Sequence, residues 1–513
     1  MTSLPFTIPA PAEEASGPTA PAEDRGLGWA EVAVAAAAFI GFCVVVLLKA
    51  AQLMEPDDYA YRASIIALSQ GHLELTTAQY HALSSQIGGI QQWVQLPNGR
   101  WLSEKNPGYP FYAVIFQWLH ALRLAPLFAG GLASTSLFIA ARRWLGRWAG
   151  TYAVVLFLAS GMALAFAYRA TMPTFTDASF IAAGAGALLW TLLSTEATTR
   201  RRTVVGLAGF VALELAVFMR YTDAVMLVVA VAAVVAAAKP ARLRRSMVAW
   251  WLGSVAVFGA GVLVFDQLVY GHATKTGYAS GEITFSLGAI WPNLKHMPNL
   301  LVRALPAAIL ALAALVWITV RLVRTRVGLL RGERADRARR DGLIGAFLAA
   351  GWLGLWALYL AYNWTAQMGG GVPGGGFGSK LRLPSGIHLP SGIHLPAGVR
   401  VPGASGLMGG GGSIHLIRFY VPALGLVALL ATWLVFQLPR WVGPLLAAGV
   451  VVSAFGSFST LVAGGGLGGR FPGGTGGLGG GGFPQRGQYG PPGGFTPPGG
   501  RYGPPGGSGL PAG

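Results

Sequence analysis

Acids and bases are conspicuous in this chain because almost everything around them is hydrocarbon. Glu55, Asp57 and Asp58 fall together in MEPDDYAY, and Glu104 and Lys105 lie in the turn-rich WLSEKNPGYP, which contains Tyr109. Arg169 and Asp177 lie in YRATMPTFTDASF, Arg220 and Asp223 in FMRYTDAVM, and Arg418 begins RFYVP. Carboxylates of this kind can take a proton from a hydroxyl or hold a divalent cation, while Lys and Arg offset phosphate charge. Simpler readings stand beside that one. Glu55 and Asp58 can be solvated loop residues, Asp223 can do no more than pair with Arg220, and Arg123 and Arg303 suit snorkelling anchors. The eight histidines have no HExxH or other ligand spacing, which argues against a dedicated zinc site.

The elements that must position these groups are read from composition. Of 513 residues, 53% are hydrophobic and only 11% charged, and the mean hydropathy is +0.53, the profile of a polytopic membrane protein. Runs able to span about 30 Å of hydrocarbon, at about 20 residues each, fall near 29–53, 124–141, 148–167, 175–195, 203–219, 223–238, 247–270, 300–320, 342–362, 419–437 and 442–462. The expected fold is therefore an all-α membrane protein of about eleven transmembrane helices.

Charge gives these spans their sidedness. Nineteen of the 37 Lys and Arg fall in five short spacers: Arg142, Arg143 and Arg147; Arg200 to Arg202; Lys239, Arg242, Arg244 and Arg245; the eight arginines from Arg321 to Arg340; and Arg440. That is a positive-inside pattern, so the net charge of +18 does not signal a nucleic-acid partner. The segment Tyr109 to Leu122 is apolar but short, and counting it as a span would move every later basic spacer to the other side. It is expected to rest on the outer membrane surface. One large external loop, 54–122, then carries membrane-resting helices around a hairpin turning at Asn98-Gly99. The N-terminal segment 1–28 is expected to stay as a cytoplasmic tail, since the first apolar run is too long and too late for a cleaved signal. The expected location is the plasma membrane, as the polytopic domain 29–462.

Two stretches have too little apolar content to build a core. The external loop 363–417 contains a hexapeptide repeat, LPSGIH, from Leu383, and 463–513 holds 24 glycines and 9 prolines, so both read as low-complexity and the tail as disordered. The single cysteine, Cys43, excludes an intramolecular disulfide.

On this topology Asp57, Asp177 and Lys105 come from three separate segments yet end at one depth on the external face, so a solvated-loop reading is weaker for them. Charges tolerated at membrane depth tend to be functional or paired. A lipid phosphate arrives at this height in the outer leaflet. The combination implies transfer of a group from a lipid phosphate to an acceptor outside the cytoplasm.

The motifs, in order, resemble the GT-C superfamily of integral-membrane glycosyltransferases, in the branch of protein O-mannosyltransferases and aminoarabinose transferases. EPDDYAYRASIIALSQGH is similar to the acidic pair that ends the family's first span, SEKNPGYPFY to its Glu-Lys-Pro-Pro-Leu-Tyr-like motif with Asn106 inserted, and YRATMPTFTDASF to its Arg-then-Asp turn. MRYTDAV and RFYVPALGLVALL stand where later basic residues are usual. The resemblance implies Asp57 as the base that activates the acceptor, with Asp58 beside it and Asp177 as a second acid. It implies Lys105, Arg220 and Arg418 as ligands of the donor phosphate, with Glu104, Arg169 and Tyr109 in support. It further implies a polyprenyl-phosphate sugar as donor, an external protein, lipid or glycan as acceptor, and inversion at the transferred carbon. The resemblance fixes no cofactor, and a divalent cation, Mg or Mn, is compatible with the acids. Rival readings are a transporter or lipid flippase, whose charges would lie nearer the midplane, and a non-catalytic envelope scaffold.

Overall fold

The computed structural model describes residues 28–48, 56–90, 92–96, 98–273, 284–369 and 416–463. Two compact units divide the chain, Met1–Gly466 and Leu467–Gly513, and the second lies wholly outside the described residues. So do Glu55, the hexapeptide repeat and nearly all of the glycine-rich tail.

In chain order, α1 (Trp29–Leu48) is followed by α2 (Pro56–Ser69), α3 (Thr77–Ile87), strands β1 (Trp93–Gln95) and β2 (Trp101–Ser103), and α4 (Gly108–Trp118). Then come α5 (Leu124–Leu145), α6 (Ala149–Leu158), α7 (Gly161–Ala167), α8 (Thr174–Leu193), α9 (Thr199–Met219), α10 (Ala224–Ala237) and α11 (Ala241–Tyr270). After the next described segment begins, α12 (Ile290–Ala304), α13 (Ala307–Arg326), α14 (Gly332–Leu360) and α15 (Asn363–Gly369) follow. A 3-10 turn, Arg418–Ala423, leads into α16 (Leu424–Gln437), and α17 (Val442–Ala463) closes the described chain.

The protein is a multi-pass membrane protein of the all-α class, with one short hairpin outside the spans. Among the described residues, eight helices are long and apolar enough to cross a membrane, and a ninth span forms if α6 and α7, bent by 59° at their junction, count as one. Ser160 makes that bend a defined break, its hydroxyl accepting from the Ala163 N–H to start α7 afresh. Two shorter apolar helices, Tyr221–Ala237 and Val442–Phe458, occupy the remaining segments read as spans. The two most enclosed spans are α8 and Arg418–Gln437. Lipid offers no hydrophobic incentive for helices to associate, so close contact relies on small residues. Gly186 of α8, where a Cβ would sit 2.9 Å from the Ser136 backbone of α5, and Gly130 of α5, where one would sit 3.1 Å from the Phe175 ring of α8, supply them where those two helices meet.

The basic spacers gather at one end of the bundle. Glu31 near the start of α1 meets Arg142 at 3.3 Å and Arg147 at 2.7 Å. Asp341 of α14 accepts from the Trp144 indole at 3.0 Å and pairs with Arg321 at 3.3 Å, and Arg321 also donates to Gln437 at 3.2 Å, near Arg440. Arg202 donates to the Thr191 carbonyl at 2.8 Å and the Lys239 carbonyl at 2.9 Å. With these ends together, the N-terminus of α2, the start of α8 and the end of α9 lie at the opposite end.

The loop between α1 and α5 has more structure than its sequence suggested. α3, unforeseen, carries a capping box in which Thr76 and Gln79 satisfy each other's backbone N–H groups. The hairpin pairs Trp93 with Ser103 and Gln95 with Trp101, and Gly99 takes a positive φ of 79° in its turn. α4 is 11 residues long, about 16 Å at 1.5 Å per residue and too short to span a bilayer.

Three boundaries differ from expectation. The span placed at 300–320 begins at Ala307, because 290–304 forms the separate helix α12 inside what read as a loop. Asn293 ties α12 down by donating to the carbonyls of Leu360 at 2.8 Å and Tyr362 at 3.1 Å. The arginine-rich spacer around 332–340 is helical and continuous with α14, and α15 starts inside the expected loop 363–417.

Candidate active site

Pro56 begins α2, and Asp57 and Asp58 occupy its first turn, where negative charge is favoured by the helix dipole. Successive helical residues point about 100° apart, so the two acids face different partners. Asp57 is held between two cations: Lys105 Nζ lies 3.1 Å from Oδ1, and Arg418 Nη1 lies 2.8 Å from Oδ2.

Lys105 is presented by the end of the hairpin. The Glu104 N–H donates to the Gln92 carbonyl at 3.0 Å, the Lys105 N–H to Ser103 Oγ at 3.2 Å, and the Tyr270 hydroxyl to the Ser103 carbonyl at 3.2 Å. Asn106 then fastens the segment to the end of α9, donating to the Met219 carbonyl at 3.3 Å. Gly108 explains the Pro-Gly-Tyr-Pro knot: a Cβ there would sit 2.4 Å from the Phe218 backbone, so only glycine lets α4 start against α9. Arg418, at the start of its 3-10 turn, is backed by aromatic faces, 4.7 Å from the Phe419 ring centre and 5.4 Å from that of Trp364.

Asp58 points inward. Arg169 pairs with its Oδ2, the Thr171 hydroxyl donates to its Oδ1 at 3.0 Å, and both members of the ion pair are fully enclosed. Tyr109 packs edge-on against Tyr61 and donates its hydroxyl to the Ala170 carbonyl. Burial pushes that hydroxyl well above the usual phenol range, so it remains a donor.

A third group lies at the start of α8. Asp177 is fully buried and pairs with Arg220 Nε at 3.5 Å. Arg220 also donates to the Arg418 carbonyl at 3.4 Å, which links this group to the Asp57 cluster. Asp223, on the turn that follows Arg220, is fully buried as well, its N–H donating to the Arg220 carbonyl at 2.9 Å.

The residues singled out in the sequence therefore converge, but in three connected groups. Asp57, Lys105 and Arg418 form one, Asp177 and Arg220 a second, and Asp58 and Arg169 a third. Glu104 contributes its backbone to the lysine loop, and Tyr109 braces the turn that carries Arg169. Sequence reasoning missed Thr171 and Trp364; only the Arg-aromatic pair of RFY hinted at the stacking. Among the described residues, no three His, Cys, Asp or Glu side chains gather as metal ligands. The acids of the site instead face guanidinium and ammonium groups, a donor set that does not fit Mg2+ or Mn2+.

Fold and site together define a polytopic helical membrane protein with an enclosed acid and cation site at one end of the bundle. In solved structures the chain is similar to ArnT from Cupriavidus metallidurans, in the apo state and bound to undecaprenyl phosphate, at 15% identity and a TM-score of 0.45, covering 83% of this chain and 63% of that one. It is similar also to the Archaeoglobus fulgidus oligosaccharyltransferase in the apo form, at 10% identity and a TM-score of 0.46, covering 86% of this chain and 57% of that one. The chain thus spans less than two thirds of the length of either. No family model matches it, and no curated protein sequence does.

Proposed function

We propose that the protein is an inverting membrane glycosyltransferase that moves a sugar from a polyprenyl-phosphate donor to an acceptor hydroxyl on the extracytoplasmic side. The observation that carries this reading is the clamp on Asp57 by Lys105 and Arg418, two cations delivered by separate segments to one carboxylate. Such a pair of cations suits a phosphate anion, which competes with Asp57 for them. As the phosphate takes Lys105 and Arg418, the carboxylate is released toward the acceptor. The acceptor oxygen then attacks the anomeric carbon, its proton passes to Asp57, and the carbon-oxygen bond to phosphate breaks. The bonding pair leaves on the polyprenyl phosphate, where Lys105, Arg418 and Arg220 offset its charge. One in-line displacement inverts the carbon.

The charged groups cluster at one end of the bundle, not at its middle, which favours a surface reaction over a transport path. The location that fits is the plasma membrane with the basic end in the cytoplasm. Purified protein given labelled polyprenyl-phosphate sugars and candidate acceptors tests the reading: transfer is expected from the wild type and is lost in Asp57→Asn. Equal transfer by both would sink the assignment of the base, and uptake into proteoliposomes without a covalent product would replace the transferase with a transporter.

A further inference from the structure

α12 has 15 residues, about 22 Å at 1.5 Å per residue and too short to cross a bilayer. Only Leu305 and Pro306 separate it from α13, which runs from Ala307 to Arg321 and beyond at the basic end. α12 therefore lies at the opposite end, the end of the Asp57 site. Successive residues turn by about 100°, which divides the helix into three strips. Asn293, Met297, Leu301 and Ala304 are buried against the bundle. Trp291, Leu294 and Val302 form an exposed apolar strip, and α13 continues with exposed Ile309, Leu312 and Val316 on a span that meets lipid. Lys295, His296 and Arg303 form the third strip, also exposed, and no acidic residue occurs between Thr284 and Ala307. Lys295 leans over the Trp291 ring, 5.4 Å from its centre. An apolar strip bordered by cations suits a helix lying in the membrane interface, with its rings toward the acyl chains and its cations at the phosphates. A border of purely positive charge favours anionic headgroups, by about fivefold in affinity per cation.

The buried strip is tied to the segment that backs Arg418. Asn293 donates to the Leu360 and Tyr362 carbonyls at 2.8 and 3.1 Å. Just before α12, the Ser286 N–H donates to the Ala361 carbonyl at 2.8 Å and the Asn363 N–H to the Thr284 carbonyl at 3.0 Å. The Phe285 ring lies 5.3 Å from that of Tyr362. Together these contacts hold the joint between α14 and α15. Tyr362 packs on Phe419 at 5.2 Å, and Trp364, two residues on, stands behind the Arg418 guanidinium.

We propose that α12 is a lipid-recognition helix: it takes anionic phospholipid headgroups of the outer leaflet on Lys295, His296 and Arg303, and once seated it holds Arg418 ready for the donor. The headgroup site is independent of the transfer reaction, whereas its effect on the donor rests on Arg418 as a ligand of the donor phosphate. A helix gripped by headgroups keeps the α14–α15 joint in place, so that Trp364 stays behind Arg418 and the guanidinium meets the phosphate already positioned. By linkage, a bound donor raises the affinity for the headgroup by the same factor.

The test places the full chain in nanodiscs of phosphatidylcholine, alone or with phosphatidylglycerol that carries a photo-crosslinker on its headgroup. Crosslinks are expected on α12 and should fall about tenfold or more in the double variant Lys295→Gln, Arg303→Gln. A farnesyl methyl phosphodiester, standing in for the donor, is expected to bind the wild type about fivefold more tightly in the phosphatidylglycerol discs. Negative surface potential and competition for the phosphate site would both weaken binding of this anion there, so a gain has the opposite sign. The double variant should lose the gain and match the wild type in phosphatidylcholine. Asn293→Leu, which cuts one tie to the joint, should keep the crosslinks and lose the gain; should it fail to fold, the double variant decides. Crosslinks spread evenly over the lipid-facing helices, or unchanged in the double variant, overturn the headgroup site. Equal or weaker diester binding in the phosphatidylglycerol discs overturns its link to Arg418. A diester that binds the wild type in neither disc overturns Arg418 as a phosphate ligand, and the crosslinks still decide the headgroup site.

Discussion

Both ends of the bundle hold acids and cations in contact, but the Glu31 and Asp57 clusters differ in how far their cations are enclosed. At the basic end Glu31 is 1% exposed while its partners Arg142 and Arg147 are 22% and 59% exposed. At the opposite end Asp57 is 14% exposed while Lys105 is 6% and Arg418 13%. An arginine that reaches solvent retains its hydration, so pairs at the basic end tie helices together at little cost. A buried lysine beside a more accessible acid is a poorer scaffold, because desolvating an ammonium costs several kcal/mol unless strong partners offset it. That arrangement makes sense where a second anion is to arrive. The same ion-pair chemistry thus fastens helices at Glu31, where the cations are wet, and leaves a receptor at Asp57, where the cations are enclosed and the acid is the more accessible partner.

The comparison breaks first at Asp57. Asp57→Asn is expected to lower transfer by about 10²- to 10⁴-fold, the usual contribution of a positioned base, with thermal stability and phosphodiester binding kept. A loss of fold would place Asp57 with the fasteners. Asp58 is the internal control, one residue away and fully enclosed with Arg169. Asp58→Asn leaves a buried guanidinium without its charge partner, so a loss of about 3–5 kcal/mol in stability is expected, read as a lower melting temperature of the detergent-solubilised protein. If Asp58→Asn instead melts normally and loses only transfer, the reading of its neighbour as the base needs revision.

Much of this was legible in the sequence, for a physical reason: a bilayer demands long apolar runs with charge between them, and both survive in one dimension. The segments read as spans from Trp29, Leu124, Phe175 and Gly342 became helices, and the positive spacers came together. Amphipathic elements were harder. α12 carries Pro292, Lys295, His296 and Pro298 within one helix, so its apolar face is interrupted in the linear text. The site was legible as residue types but not as pairings. Asp177 and Arg220 are separated by most of α8 and the whole of α9, and no local pattern announces that a helical hairpin returns one to the other. Trp364 was hidden at the edge of a glycine-rich stretch, where composition suggested no platform for Arg418.

Smaller effects sharpen the contrast between receptor and fastener. Lys105→Met keeps the length of the side chain and removes its charge. Losing a charge-assisted hydrogen bond to phosphate costs about 1.5–3 kcal/mol, or roughly 10- to 100-fold in donor affinity, while the Michaelis constant for the acceptor should hardly move. An equal change in both constants would mean that Lys105 shapes the loop and does not bind the donor.

The smallest effect is expected at Arg147, and there the comparison is most exposed to error. Its guanidinium touches a buried acid at 2.7 Å, closer than Arg142 at 3.3 Å, so distance alone would rank it above Lys105 at 3.1 Å. Exposure reverses that ranking. Arg147 is 59% exposed, its charge is screened by water and salt, and Arg142 remains beside Glu31 when it is gone. Arg147→Ala should therefore cost less than about 1 kcal/mol in stability and leave transfer and donor affinity unchanged. Measured beside Lys105→Met in the same detergent, the two variants separate burial from proximity. If Arg147→Ala lowers donor affinity as far as Lys105→Met does, cation burial does not distinguish the two ends, and the receptor reading of the Asp57 cluster loses its basis.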